Sequence, residues 1–196
     1  MGDKILYEGT WLSIVERDGW YQFSRETARA GVVYVLVFRK AVFHPVLGRY
    51  EICPAHGDAE PILTSLSGGI EVGQDPADAA VAEVYEEAGY RITRDQLIDL
   101  GKVNLTKSTD TIGYLYAVDV SDLERGDAPG DGSLGEEKSY CNWVSEDAAL
   151  MCKCPVMATL IIRAGNGGML GGQWALPTSW LHAAGRAWDS VMKGTA

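Results

Sequence analysis

Three glutamates, Glu83, Glu86 and Glu87, are the residues whose type and spacing most clearly suggest chemistry in this chain. In a helix, positions i, i+3 and i+4 lie on one face, so the three carboxylates would share an arc of roughly 100°. Hard divalent cations such as Mg²⁺ prefer oxygen ligands, often carboxylates together with the phosphates of a substrate. A solvated acidic face is the alternative interpretation of the same three residues.

The glycine-rich residues that precede these carboxylates favour a site over a plain acidic face. Gly68 and Gly69 predict a turn, which a short loop ending at Gly73 follows. A loop of this kind brings backbone groups close to a ligand, so Ser67, Gly68 and Gly69 are candidates for a substrate or phosphate loop. The loop and the carboxylates together suggest a site for a diphosphate and a metal ion.

The element that must position the glutamates is a helix whose two ends are marked in the sequence. Asp75 is a good N-cap and Pro76 a good first helical residue, so the helix should begin here. Gly89 should end it after Ala88. Apolar residues recur at helical spacing on the face opposite the glutamates, namely Ala77, Val81, Val84, Tyr85 and Ala88.

Residues 68–90 resemble the Nudix box. Its pattern is Gly, five residues, Glu, seven residues, then Arg-Glu-hydrophobic-x-Glu-Glu-x-Gly-hydrophobic. In this chain Gly68 is the first glycine, Glu83 stands in the Arg-Glu pair, and Glu86 with Glu87 forms the double glutamate. The resemblance implies a Nudix hydrolase in which these three glutamates hold Mg²⁺, with Mn²⁺ as an alternative, and in which Glu86 is also a candidate base.

Two positions depart from the family pattern. Gln74 stands where the first Glu is expected, and Ala82 stands where the Arg is expected. In the family this Glu and Arg are understood to brace the loop against the helix as an ion pair. Because losing both charges together is nearly neutral, whereas losing one strands the other, we interpret the departures as a coupled replacement. A Nudix-fold protein that has lost its activity is the alternative.

A second acidic pair, Glu136 and Glu137, follows residues 125–135, in which four glycines predict a mobile loop. The order of elements here resembles the ADP-ribose and nucleotide-sugar branch of the family, in which an acidic loop can carry the catalytic base. Glu136, Glu137 and a glutamate of the box helix are therefore all candidate bases. Two exposed loop glutamates without a catalytic role are the alternative.

The resemblance implies an α/β fold, an α/β/α sandwich with a mixed sheet. Asp18-Gly19 predicts an N-terminal hairpin between residues 11–17 and 20–25, and the apolar run at 32–38 predicts a buried central strand. We divide the chain into an N-terminal β-hairpin segment, a Nudix domain and a C-terminal helical extension, at residues 1–30, 31–165 and 166–196. Further strands are predicted at 50–53, 97–103, 111–120 and 140–144, and helices from Ser145, from Met157 and at 179–193.

The implied function is metal-dependent hydrolysis of the diphosphate linkage in a nucleoside diphosphate derivative such as ADP-ribose or a nucleotide sugar. In ADP-ribose-type members, a loop at the place of the polar residues 106–110 shapes the pocket for the terminal sugar. The alternative from a different class is a Nudix-fold module that binds a nucleotide and regulates without hydrolysing it.

Composition restricts the partners. The formal net charge of −10 and the pI of about 4.7 argue against nonspecific binding to nucleic acid or to anionic membranes. The family resemblance implies a small-molecule nucleotide as the partner, and a homodimer is a further expectation. We see no signal peptide or apolar run of membrane-spanning length, which leads us to expect a cytoplasmic protein. The four cysteines fit a reducing compartment as plain thiols, because Cys152 and Cys154 are too closely spaced for an ordinary zinc site.

Overall fold

Strands make up most of the regular structure in the parts of the chain that can be described. The computed structural model describes residues 2–41, 44–53, 57, 59–130 and 139–170. The strands are β1 (Asp3–Glu8), β2 (Leu12–Arg17), β3 (Tyr21–Glu26), β4 (Gly31–Phe38), β5 (Val46–Glu51), β6 (Ile62–Thr64), β7 (Leu66–Ile70), β8 (Ile98–Asn104), β9 (Ile112–Asp119) and β10 (Tyr140–Val144). The helices are α1 (Pro76–Ala88), α2 (Glu146–Leu150) and α3 (Pro155–Asn166), with a 3-10 turn at Arg94–Gln96.

The central sheet is mixed. Within the described residues it has seven strands, in the order β10-β5-β4-β9-β8, with β6 paired to β5 and β7 paired to β4. The β4–β9 pair is parallel and the other pairs are antiparallel. The apolar run predicted as a buried strand is β4, and it lies in the middle of this sheet, as its sequence predicts.

Helices cover both faces of the central sheet. On one face α1 packs over a core of buried side chains that includes Val33, Val35, Leu66, Val84 and Tyr90. On the other face α3 packs over a second core that includes Leu36, Phe38, Leu115, Leu160 and Ile161. The predicted α/β/α sandwich with a mixed sheet is therefore confirmed.

The N-terminal hairpin is confirmed, and it is part of a larger element. Asp18 and Gly19 both have left-handed backbone angles, with φ of 56° and 78°, and three residues, 18–20, connect the paired Arg17 and Tyr21. Strand β1 pairs with β2 to make a three-stranded sheet. All six residues of β1 are exposed. A strand with no buried face does not need alternating apolar and polar residues, so its sequence carries no strand pattern.

Three predictions between β4 and α1 need correction. The strand predicted at residues 50–53 is β5, which begins earlier, at Val46. Strands β6 and β7 were not predicted. Gly68 and Gly69, predicted as a turn, lie inside β7 opposite Val33 and Val32 of β4. The glycines therefore belong to a paired strand, and the backbone turn comes after Ile70.

The box helix has the predicted bounds, from Pro76 to Ala88. Its predicted apolar face is confirmed at three buried positions, while Val81 and Tyr85 are half-buried. Strands β8, β9 and β10 and the cap at Ser145 also agree with prediction. The predicted helix at 179–193 lies outside the described residues, as does the C-terminal extension from residue 171 onward.

Candidate functional site

The ends of α1 are fixed by the residues that the sequence marks. The Asp75 carboxylate accepts a hydrogen bond from the Ala77 N–H at 2.8 Å, and Gly89 closes the helix with φ of 74°. The Gln74 side-chain oxygen accepts from the Glu71 N–H at 2.9 Å, which closes the loop before the helix. Gln74 therefore stabilises this loop without the ion pair that the family pattern would place here.

Glu83 lies directly against the backbone of β7. A Cβ atom added to Gly68 would stand 1.5 Å from Glu83 Oε1 and 2.0 Å from its Cδ. No side chain fits between them, so residue 68 must be glycine for the carboxylate to lie here. The requirement comes from close approach of the helix carboxylate to the strand.

Glu87 is buried, with only 6% of its side chain exposed. Its Oε1 lies 2.5 Å from Arg49 Nη1, and its Oε2 accepts from the Ser67 N–H at 3.2 Å. The interpretation of the glutamates as a plain solvated face therefore fails at Glu87. Two of the three predicted loop residues, Ser67 and Gly68, instead contact the carboxylates of the helix.

Burial raises the pKa of Glu87 to about 9. Arg49 and the Ser67 N–H oppose this rise, while the neighbouring carboxylates of Glu83 and Glu51 add to it. The ionised form of Glu87 thus needs more positive charge than Arg49 alone provides. A hard divalent cation with oxygen ligands would meet that need, so the donor chemistry of Glu83 and Glu87 fits Mg²⁺.

Arg49 belongs to the candidate site, although the sequence did not predict it there. It lies on β5, its side chain is 9% exposed, and its Nε lies 3.3 Å from Glu51 Oε2. Thr64 donates to Glu51 Oε1 at 3.1 Å, so the network continues onto β6. A lone arginine in the strand sequence VLGRYE was the available signal, because buried arginine is rare unless it is paired.

The three box glutamates do not all converge on one point in this structure. In the described part of the chain, no group of three or more His, Cys, Asp or Glu residues is arranged to hold a metal ion. Glu87 is directed to Arg49 and Glu83 to Gly68, and Glu86 is half-buried. The structure therefore brings two of the predicted ligands to neighbouring residues of β7.

The chain after β9 packs onto the C-terminal end of α1. Gly126 N–H donates to Gly89 O and Gly130 N–H donates to Glu86 O, both at 2.9 Å, and Arg125 Nε donates to Ala88 O at 2.9 Å. Residues 125–130 have no helix or strand, as predicted, but they donate to carbonyls at the helix end, which the sequence did not predict; the mobility of residues 125–135 stays a prediction. The candidate bases Glu136 and Glu137 lie outside the described residues.

A thiol lies behind the site. Cys141 Sγ donates to Glu87 O at 3.4 Å, and burial, with a smaller contribution from Glu87, raises the pKa of Cys141 to about 11. Because the thiolate is the reactive form, we expect iodoacetamide at pH 8 to label Cys141 roughly 10²-fold more slowly in the folded protein than in urea. Peptide mass spectrometry over a time course measures both rates. Equal rates would show that the thiol is not buried beside the helix.

A cleft of about 560 Å³ separates the N-terminal sheet from the β8–β9 connection. Ser24 N–H donates to Ser108 O at 2.8 Å and Asp110 N–H donates to Ser24 O at 3.1 Å, which joins the two walls. The Tyr21 hydroxyl also donates to Lys107 O. The cleft is lined by Arg17, Tyr21, Phe23, Asn104, Thr106, Lys107, Thr109 and Asp110.

Comparisons with known proteins place these features in context. No family model matches the chain. It is 31% identical over 101 residues to human diphosphoinositol polyphosphate phosphohydrolases 3-beta and 3-alpha, and 30% identical to the mouse 3-alpha protein. These matches cover 52% of this chain, and the chain spans 60% of the length of those relatives.

A solved crystal structure of an ADP compounds hydrolase is similar in fold. The TM-score is 0.60 at 15% sequence identity, over 87% of this chain and 95% of that chain. At this identity the likeness establishes the fold alone. Among the residues that the structure describes, no helix has the length and apolar character needed to cross a membrane.

Proposed function

We propose that this chain, which belongs to the Nudix superfamily, hydrolyses the diphosphate linkage of a nucleoside diphosphate derivative such as ADP-ribose or a nucleotide sugar. One observation carries the proposal. Helix α1 brings Glu83 and buried Glu87 against consecutive residues of β7, Gly68 and Ser67, as a site for a hard cation and a diphosphate would need.

The chain's own residues have distinct roles in this proposal. Glu83, Glu86 and Glu87 would hold Mg²⁺ or Mn²⁺, which when bound neutralises diphosphate charge and lowers the pKa of water. The Ser67 N–H orients the Glu87 carboxylate, and the missing side chain at Gly68 leaves room for Glu83. Hydrolysis of this kind depends mostly on positioning and charge stabilisation, which is what these contacts provide.

The proton acceptor is one of two kinds of residue. Glu86 is half-buried on the box helix itself, and its carbonyl accepts from the Gly130 N–H. Glu136 and Glu137 come only six and seven residues after Gly130, and a chain of that length spans up to roughly 20 Å. We therefore retain Glu86, Glu136 and Glu137 as candidate bases.

The cleft beside the N-terminal sheet supports a substrate with a second moiety. Across the sheet, Gly68 of β7 lies opposite Val33 of β4, which lies opposite Tyr114 of β9, which lies opposite Lys102 of β8. Asn104, which lines the cleft, is two residues further along β8. Three strand spacings across and two residues along a sheet correspond to roughly 16 Å. A nucleoside diphosphate sugar can extend over such a distance, with aromatic and polar groups of the cleft contacting its far end.

A diphosphoinositol polyphosphate is the second substrate candidate, and the 31% identity to the human phosphohydrolases favours it. Such a substrate carries many phosphates and calls for several cations. The cleft offers Arg17 and Lys107, and Arg17 already lies 2.8 Å from Asp3. The charge pattern therefore favours the nucleotide substrate. A nucleotide-binding module without hydrolase activity is the alternative in a different class.

The proposal also includes a compartment and an assembly state. The four cysteines are free thiols, which suits a reducing compartment such as the cytoplasm. A homodimer remains our expectation for the assembly.

The test is a substrate panel with a metal control. We expect ADP-ribose with Mg²⁺ to yield AMP and ribose 5-phosphate, and excess EDTA to reduce the rate by at least about 10²-fold. The panel should include a nucleotide sugar and a diphosphoinositol polyphosphate, with products separated by anion-exchange chromatography. Turnover of only the inositol compound would replace the nucleotide substrate. Tight binding of a nucleotide without turnover would establish the regulatory alternative.

A further inference from the structure

Helix α1 carries no positive charge of its own. Its sequence, PADAAVAEVYEEA, has four carboxylates and no Lys or Arg, with Ala82 at the position where the family has arginine. The cations that meet these carboxylates come from other elements. Arg94 pairs with Asp75 and Asp78 at the exposed start of the helix, and Arg49 pairs with buried Glu87 near its end.

Arg49 has the geometry of a two-sided clamp. Its Nη1 lies 2.5 Å from Glu87 Oε1 while its Nε lies 3.3 Å from Glu51 Oε2. Glu51 is held in turn by the Thr64 hydroxyl. A guanidinium has five donors in a rigid plane, so it can lose one carboxylate partner and remain fixed by the other.

Several carboxylates lie around the Arg49–Glu87 pair. Arg49 pairs with both Glu51 and Glu87, and Glu83 is close enough to act on Glu87. A divalent cation taken up by Glu87 would therefore lie among carboxylate oxygens, the ligands that a hard cation prefers. An ammonium in place of the guanidinium would have the same charge but could not span the two carboxylates in one plane.

We propose that Arg49 is a positioning residue that holds Glu87 against β7 from strand β5 and would release it when Glu87 takes up a divalent cation. Arg49 stays attached to Glu51 after this release. The inference rests on the proposed function for its metal, but its main readout is the stability of the cation-free protein. It can therefore fail or succeed independently of any substrate.

The decisive variant is Arg49→Met, which keeps the apolar stem and removes the guanidinium. Removing Arg49 leaves the buried Glu87 Oε1 without its charged hydrogen-bond donor, so we expect the melting temperature without Mg²⁺ to fall by roughly 5–10 °C. Mg²⁺ should raise the melting temperature more in this variant than in the unaltered protein, because no guanidinium must leave Glu87. Arg49→Lys should fall between the two.

The matched control is Arg94→Met, which removes a cation that pairs with carboxylates at the start of α1 from the 3-10 turn at Arg94–Gln96. Arg94 also pairs with carboxylates of the helix, but 58% of its side chain is exposed. Exposed pairs contribute little, so its melting temperature should fall by no more than roughly 3 °C and its Mg²⁺ response should be unchanged. An Arg49→Met variant no less stable than Arg94→Met, or with the same Mg²⁺ response as the unaltered protein, would overturn the proposal.

A double variant protects the test if Arg49→Met does not fold. Removing both members of a buried pair is close to neutral, so Arg49→Met with Glu87→Gln should recover most of the lost melting temperature. No recovery would mean that Arg49 acts on something other than Glu87. In any variant that turns over substrate, a positioning role predicts a fall in kcat of about tenfold with KM nearly constant. A rise in KM alone would instead indicate direct substrate binding.

Discussion

Glu87→Gln should reduce hydrolysis by roughly 10³-fold while the protein remains folded. The Glu87 side chain is buried, and it contacts both Arg49 and the Ser67 N–H. An amide cannot provide the anionic oxygen that a hard cation prefers, and metal-based charge stabilisation is worth several kcal/mol in such reactions. A loss of about 4 kcal/mol corresponds to roughly three orders of magnitude in rate.

The fold should persist because glutamine resembles the neutral form of Glu87. Burial raises the pKa of this carboxyl to about 9, so burial itself favours the uncharged side chain. The two donors lie on different oxygens of Glu87, so the single amide oxygen of glutamine accepts from one of them and the other hydrogen bond is lost. We therefore expect the free energy of unfolding to change by no more than about 1–2 kcal/mol.

The control for this variant is Asp78→Asn on the same helix. Asp78 is exposed and pairs with Arg94 at 3.5 Å, far along the helix from Glu87. Its activity should stay within about twofold of the unaltered protein. Initial rates with saturating Mg²⁺ measure both variants, and circular dichroism verifies their folding. Full turnover by Glu87→Gln would exclude the metal role of this residue.

Local signals in the sequence were enough to predict the box helix. Asp75, Pro76 and Gly89 act through hydrogen bonds and backbone angles within a few residues, and the structure has the helix ends where they predict. The hairpin turn at Asp18-Gly19 is of the same kind. In each case the interaction that decides the structure lies inside the segment being interpreted.

Partners distant in sequence explain what could not be predicted. Gly68 looks like a turn residue in isolation, and only the approach of Glu83 from α1 shows why a strand needs glycine there. Periodicity placed Glu87 opposite the main apolar stripe, but it could not show that β5 covers that side with Arg49. The sequence of residues 125–130 could not show that their partners are carbonyls of α1.

Gly68→Ala should cause the second large loss of activity, of roughly 10²-fold, by displacing a side chain from another element. The new Cβ would stand 1.5 Å from Glu83 Oε1 and 2.6 Å from its Cγ, so the whole glutamate side chain must move. Stability should change little, because Glu83 is half-exposed and alanine is favoured over glycine within a strand by about 0.5–1 kcal/mol.

The dependence of this effect on Glu83 can be measured with a double-variant cycle. Glu83→Ala should lose about as much activity as Gly68→Ala, and it also removes the atoms with which the new methyl group collides. Adding Gly68→Ala to Glu83→Ala should then cost nothing further, since residues that act through one contact are not additive. Hydrolysis rates and melting temperatures of the unaltered protein, the two single variants and the double variant give the coupling in activity and the coupling in stability. If the two losses of activity multiply instead, Gly68 affects activity by some means other than the position of Glu83. The close packing of α1 on β7 would then not be the reason that residue 68 is glycine.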